Sequence, residues 1–310
     1  IPPTLPPGSD VANLSVLGYD PEKYYTGRSP LEAASMGIPL SDTDVTFRTN
    51  LVTLSDAQNY EDRIMLDHSS DEISTEEARE LIDDINRHFR DDFLAFHAGV
   101  SYRHCLLWKE GPLDFEFTPP HDILGKRIAP YLPKGKHAGR ILDMMTKSAE
   151  FLPKHPVNLD RIRRGLRPAN SVWIWGEGKK PAIPTFYEKF GLKGSVVSAV
   201  DLVKGLGICA GMEAVDVEGA TGNLHTNYVG KAEAALRALK EGKDFVYLHV
   251  EAPDECGHRH EIENKVKSVE LIDEKVIGPL LKGLEGYEDY RILVLPDHPT
   301  PLSLRTHTGD

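Results

Sequence analysis

Downstream of Ser171 the apolar positions come in short continuous runs, separated by stretches with helical spacing. SVWIW (171–175), GSVVSAV (194–200), MEAVDV (212–217), DFVYLHVEA (244–252) and YRILVLPDH (290–298) read as strands. PTFYEKFG, DLVKGLG, the Ala-rich run 227–241 and the long amphipathic run 260–284 read as helices. Alternation of this kind predicts a largely parallel sheet covered by helices. Residues 45–165 have another pattern. VTFRTNLVTL is a strand pair or one long strand, and GVSYRHCLLWK and LDFEF are strands. STEEARELIDDINRHF opens on the capping-box pattern Ser74-x-x-Glu77 and has helical apolar spacing, as does AGRILDMMTKSAEFL. This predicts an α+β domain over 46–169, with hinges near 41–46 and 165–171, inserted into a discontinuous domain of 1–45 and 170–310.

Composition narrows the function. The chain has 310 residues, 40% hydrophobic, enough for one large α/β domain or two smaller ones. Its 36 basic side chains face 48 acidic ones, and no basic run stands out, which argues against nucleic-acid binding. A local cluster of Arg and Lys can still hold a small anion. Cys105, Cys209 and Cys256 are too few and too scattered for a disulfide framework or a CxxC zinc site, and fit a reducing cytoplasm. No apolar run is long enough to span a membrane, and no signal peptide is visible. The chain opens in mid-loop without an initiator Met and stops at RTHTGD, so terminal segments are expected to lie outside it.

The candidate chemistry lies where two late strands end. DFVYLHVEAP runs into Asp254 and His258, and YRILVLP into Asp297 and His298. In open α/β sheets, ligands bind beyond the carboxyl ends of the strands, so these four should converge, with His307 close enough to fold back. Carboxylates and imidazoles together suit Zn²⁺ or Mn²⁺, and five of them suit two ions. His260 competes with His258, and Asp273 reads as solvated. Near the start, Gly8-Ser9-Asp10 follows Pro-Pro and precedes a helical run. Ser9 can be an ordinary helix cap, or a nucleophile whose alkoxide and phosphate ester the helix N-terminus favours. Metals that lower the pKa of a bound hydroxyl would activate it.

PPGSDVANLSVLGYDP, TGRSPLEAA, RPANSVWIWGEGKKP, TNYVGKAEAAL, VEAPDECGH, LPDHPTP and RTHTGD together resemble the archaeal-type 2,3-bisphosphoglycerate-independent phosphoglycerate mutases of the alkaline phosphatase superfamily. The resemblance spans nearly the whole chain. It implies an alkaline-phosphatase-like, mostly parallel sheet flanked by helices, with an inserted α+β substrate-binding lid. It implies a transient phosphoserine at Ser9. Asp254, His258 and His307 would hold one divalent ion, and Asp297, His298 and Ser9 the other, with Mn²⁺, Zn²⁺, Co²⁺ or Mg²⁺ as the candidates. A further aspartate ligand, in a GDG-like motif on an N-terminal strand, would lie before Ile1. The substrate implied is a small phosphorylated hydroxy acid, 3-phosphoglycerate or 2-phosphoglycerate, and the compartment is the cytoplasm. Arg28, Arg103, the His121-Asp122 pair, Arg167 and Lys179 are the candidates to bind it, with Lys180 weaker. The rival readings are a phosphohydrolase of the same superfamily and a non-catalytic metal-binding scaffold. Oligomeric state stays open.

Overall fold

A computed structural model describes residues 2–5 and 7–309. They divide into two compact units. One takes in the residues up to 25, 34–38 and those from 181; the other takes in 26–33 and 39–180.

The second unit is built on a five-stranded antiparallel sheet. Its strands are β1 (Val45–Leu54), β2 (Met65–Asp67), β3 (Leu94–His97), β4 (Arg103–Trp108) and β5 (Ser171–Lys179). VTFRTNLVTL is thus one long strand. It is buried along almost its whole length because β4 and β5 flank it and helices cover the sheet. SVWIW belongs here and not with the later strands: Val52 to Val45 of β1 pair with Ser171 to Lys179. The register shifts between Thr46 and Arg48, opposite Gly176, whose φ of +62° suits glycine. The Thr75–Phe89 and Ala138–Phe151 helices bury Leu81, Ile82, Ile85, Ile141 and Met145 against Phe47, Leu51 and Trp173. Ser74 caps the first of them through Glu77 N, at 3.2 Å. The Glu77 carboxylate binds Arg161 and Arg164. LDFEF is not a strand; it makes one antiparallel bridge, Glu116 to Lys134. Phe115 and Phe117 pack edge-on to Phe47, so their apolar character serves ring packing, not a ladder.

The first unit carries the parallel sheet, in the order β7 (Glu213–Val215), β6 (Gly194–Val197), β8 (Phe245–Leu248). Its helices include Asp201–Cys209, Tyr228–Lys240 and Ala252–His258. The predicted 260–284 helix is Ile262–Ile272, a π turn over Asp273–Ile277, and Gly278–Leu284. YRILVLPDH is not a strand. Among the described residues no strand pairs with 290–295, and Leu293 is 79% exposed. A β-branched, apolar run forms a strand only where a neighbour takes up its N–H and C=O groups. Among the described residues no helix is long and apolar enough to cross a membrane.

Candidate functional site

Ser9 opens the Ser9–Val16 helix, and Gly8, extended at φ −103° and ψ 155°, is the N-cap. Ser9 therefore does not cap the helix, contrary to its ordinary reading. A Cβ on Gly8 would stand 2.4 Å from Asp10 Oδ1, so glycine leaves room for that carboxylate, which also accepts the Tyr25 hydroxyl at 2.6 Å. Ser9 Oγ lies in the first turn, where free N–H groups favour negative charge. It stands 2.8 Å from His298 Nε2.

His298 follows the unpaired 290–295 run and is buried, which pushes its imidazole down and keeps it neutral near pH 7. Beside it, Asp297 Oδ1 accepts His298 N at 3.0 Å, and Asp297 Oδ2 lies 3.5 Å from His298 Nε2.

The second group gathers at the N-terminus and end of the Ala252–His258 helix. Asp254 Oδ1 is 3.2 Å from His307 Nε2, and Asp254 Oδ2 is 3.3 Å from His258 Nε2. The two Nε2 atoms are 3.0 Å apart. His258 Nδ1 lies 2.9 Å from Arg305 O, and His307 Nδ1 lies 3.0 Å from Pro7 O. A carbonyl oxygen only accepts, so both Nδ1 atoms carry the hydrogen and both Nε2 atoms present lone pairs to each other. Facing lone pairs beside a carboxylate call for a cation. The Asp254 bond holds His307 above its usual value. Burial pushes Asp254 up, but His307, Thr300 and His258 outweigh it and hold the carboxyl at about 2. Ligand atoms of Asp254, His298 and His307 all lie within 4.8 Å of one another, and the residues present fit a divalent metal. His260 turns away to Leu302 O, and Asp273 is exposed in the π turn.

The second unit holds all the predicted substrate-binding cations, Arg28, Arg103, Arg167, Lys179 and Lys180. Glu32 bridges Arg28 Nε at 2.7 Å and Arg48 Nε at 2.9 Å. Burial pushes Glu32 up, but the two guanidiniums outweigh it and keep it ionised. Arg48 lies over the Trp175 ring, 4.2 Å from its centroid, where the register shift opposite Gly176 brings strand β1. Burial lowers Arg48, Glu32 opposes this, and the charges of Arg28 and Arg103 lower it again, so the three guanidiniums share one neighbourhood. His121 packs edge-on to Trp175 and His68, with Asp122 3.7 Å away. Arg103 is exposed over Tyr102, and Lys179 ends β5.

Residues 1–158 match the family model of the 2,3-bisphosphoglycerate-independent phosphoglycerate mutases. Residues 134–300 match that of the Type I phosphodiesterase / nucleotide pyrophosphatase family. A probable 2,3-bisphosphoglycerate-independent phosphoglycerate mutase of Geobacter sulfurreducens is 53% identical over 308 residues, covering 99% of this chain and 76% of that protein. One from Methanothrix thermoacetophila is 50% identical over 311 residues, covering 100% and 77%. The chain belongs to the 2,3-bisphosphoglycerate-independent phosphoglycerate mutases. A solved structure of a Pyrococcus horikoshii protein aligns with a TM-score of 0.75 at 30% identity, over 99% of this chain and 72% of that one. The cofactor-independent phosphoglycerate mutase of Thermoplasma acidophilum aligns at 0.61 and 27%, over 89% and 71%. The fold is that of the alkaline phosphatase superfamily, and divalent metal use goes with it.

Arg167, the remaining predicted arginine, lies beside carboxylates of the second unit. It donates to Asp67 Oδ2 at 3.2 Å and to Leu66 O at 3.3 Å, and lies 3.8 Å from Asp71. Burial pushes Asp67 up, but bonds from Asp71 N, Ser69 and Arg167 outweigh it and hold the carboxyl at about 2. An unfolded aspartate titrates near about 3.9, so this carboxylate adds stability above that pH, lost as pH falls through about 2. Arg167→Ala should lower the denaturation midpoint at neutral pH, with the difference closing at acid pH. An unchanged neutral midpoint would show that these contacts add no stability.

Sequence reasoning missed four polar residues in the first unit and one in the second. His249, the first polar residue after β8, brings Nε2 within 3.9 Å of Asp297 Oδ2; its position at a strand end was the available signal. Lys231 is 1% exposed and donates to His249 O at 3.1 Å, and burial lowers it to about 8. Asn13 lies one helical turn after Ser9, on the same face. Tyr247 hides in a strand reading, as does Arg48.

Proposed function

We propose that the chain interconverts 3-phosphoglycerate and 2-phosphoglycerate through a phosphoserine at Ser9. The observation that carries this reading is the 2.8 Å approach of Ser9 Oγ to His298 Nε2 at a helix mouth, beside the Asp254, His258 and His307 donors. Ser9 Oγ bonds to the phosphorus of 3-phosphoglycerate, and its proton leaves with the departing 3-oxygen. Glycerate turns while it stays enclosed. Its 2-hydroxyl oxygen then takes the phosphoryl group back, and its proton returns to Ser9.

Two divalent ions would be held by Asp254, His258 and His307, and by Asp297, His298 and Ser9. When bound they supply positive charge for the serine alkoxide and the transferring phosphoryl oxygens. The chain's own residues do the rest. The helix N-terminus faces negative charge developing on Ser9. Arg28, Arg48 and Arg103, with His121 and Lys179, bind the substrate's carboxylate and phosphate, and the inserted unit serves as a lid that keeps water from the phosphoserine. Arg48 joins the set because it shares Glu32 with Arg28.

The test follows 3-phosphoglycerate by ³¹P NMR with full-length protein. Growth of the 2-phosphoglycerate signal without inorganic phosphate supports the reading; inorganic phosphate alone sinks it in favour of the phosphohydrolase. Arg103→Lys should lose roughly 1.5–3 kcal/mol of charge-assisted bonding, or about ten- to a hundredfold in kcat/KM. It should also raise phosphate release relative to isomerisation, because a point charge cannot reproduce the guanidinium fork. Wild-type kcat/KM in that variant would make Arg103 a solvated charge.

A further inference from the structure

One buried amide joins the nucleophile's helix to the carboxylate beside His298. Asn13 is fully buried. Its Nδ2 donates to Ser9 O at 2.7 Å and to Asp297 Oδ2 at 2.9 Å. Its Oδ1 accepts from the Tyr247 hydroxyl, which comes from β8. Three of the four hydrogen bonds an amide can make are therefore spent, all on groups at or beside the site.

The orientation of the amide matters. Turned over, Asn13 would set its carbonyl oxygen against Ser9 O and the Asp297 carboxylate, and its NH₂ against the Tyr247 oxygen. Ser9 O and the Asp297 carboxylate prevent this, because both only accept, and the Tyr247 hydroxyl gives the amide oxygen its donor. Burial and the Asp297 charge push the Tyr247 phenol up, so it keeps that proton across the physiological range.

We propose that Asn13 is a positioning residue for Ser9, holding the nucleophile in register with Asp297 and His298, and that the Tyr247 hydroxyl steadies the Asn13 amide in this task. The proposal rests on the mutase reading above. Neither residue is given a contact with substrate, so their removal should act on kcat and leave KM for 3-phosphoglycerate unchanged. A displacement near 1 Å at a reacting group costs about 10²-fold. Asn13→Ala should approach that loss, and Tyr247→Phe, which leaves the buried amide oxygen without its donor and loosens the amide, about tenfold. The double variant should be no slower than Asn13→Ala, because Tyr247 acts through the amide.

A residue that only fills space would lower the thermal midpoint and spare kcat. Mn²⁺ titration by calorimetry provides a readout apart from turnover. Groups that orient a metal ligand typically change affinity 10–100-fold, so Asn13→Ala should weaken one of the Mn²⁺ steps by at least tenfold and leave the other near wild type. Wild-type kcat and Mn²⁺ affinity in both single variants would overturn the proposal, as would a raised KM at unchanged kcat. Should Asn13→Ala fail to fold, Tyr247→Phe decides alone on the same two readouts, since it removes one oxygen atom and keeps the ring. A wild-type protein that forms no 2-phosphoglycerate would sink the mutase reading instead, and the Mn²⁺ titration would then judge the Asn13 proposal.

Discussion

Replacing Ser9 by alanine should abolish mutase turnover, a loss on the order of 10⁴ or more, while the protein stays folded. The hydroxyl is the only atom removed. Gly8, not Ser9, caps the Ser9–Val16 helix, so no capping bond is lost. The Asn13 bond goes to the Ser9 backbone oxygen, which alanine keeps. What disappears is the Oγ that lies 2.8 Å from His298 Nε2. Circular dichroism should therefore match wild type, and metal content should fall little, because Asp297 and His298 remain. A coupled assay of 2-phosphoglycerate formation measures the effect. Near-native turnover in this variant would end the phosphoserine account.

Removing divalent metal should be as severe. His258 and His307 are fixed through Nδ1 by main-chain carbonyls, and their facing Nε2 atoms, beside the Asp254 carboxylate, suit a shared cation. Chelation should take activity to background, and Mn²⁺, Co²⁺ or Zn²⁺ should restore it. His258→Ala should empty one site more than the other, because His258 touches Asp254 and His307 but makes no bond to Ser9. Elemental analysis should find about one ion in this variant where the wild type holds about two, as expected when one of two clusters loses a ligand. Active full-length protein that holds no metal and ignores the chelator would contradict this.

How much of this was legible beforehand depended on how local each signal was. Ser9, Asp254, His258, Asp297 and His298 could be picked out because each stands at a helix mouth or follows a strand-like run, and His307 because it lies nine residues after His298; the structure brings them together in one unit. Arg48 could not. It sits mid-strand, and only the register shift opposite Gly176, set by pairing between residues far apart in sequence, brings it over Trp175. The same long-range pairing placed SVWIW against β1, where local alternation had grouped it with the parallel strands. LDFEF and YRILVLPDH show the opposite failure. Both have the apolar pattern of strands, but a strand requires a neighbour that the pattern does not name. Asn13 and Tyr247 were invisible for a different reason: their roles lie in hydrogen bonds spanning 284 and 234 positions of sequence.

The claim on which the rest depends is that the phosphoryl group rests on Ser9 between its two positions on glycerate. Rapid mixing of full-length protein with 3-phosphoglycerate, acid quench at millisecond intervals, digestion and mass spectrometry of the GSDVANLSVLGYDPEK region reads this directly. Phosphate should appear on Ser9 before 2-phosphoglycerate accumulates and should fall as substrate is exhausted. Steady isomerisation with Ser9 never phosphorylated at any interval, or with the phosphate on another residue, would contradict the account.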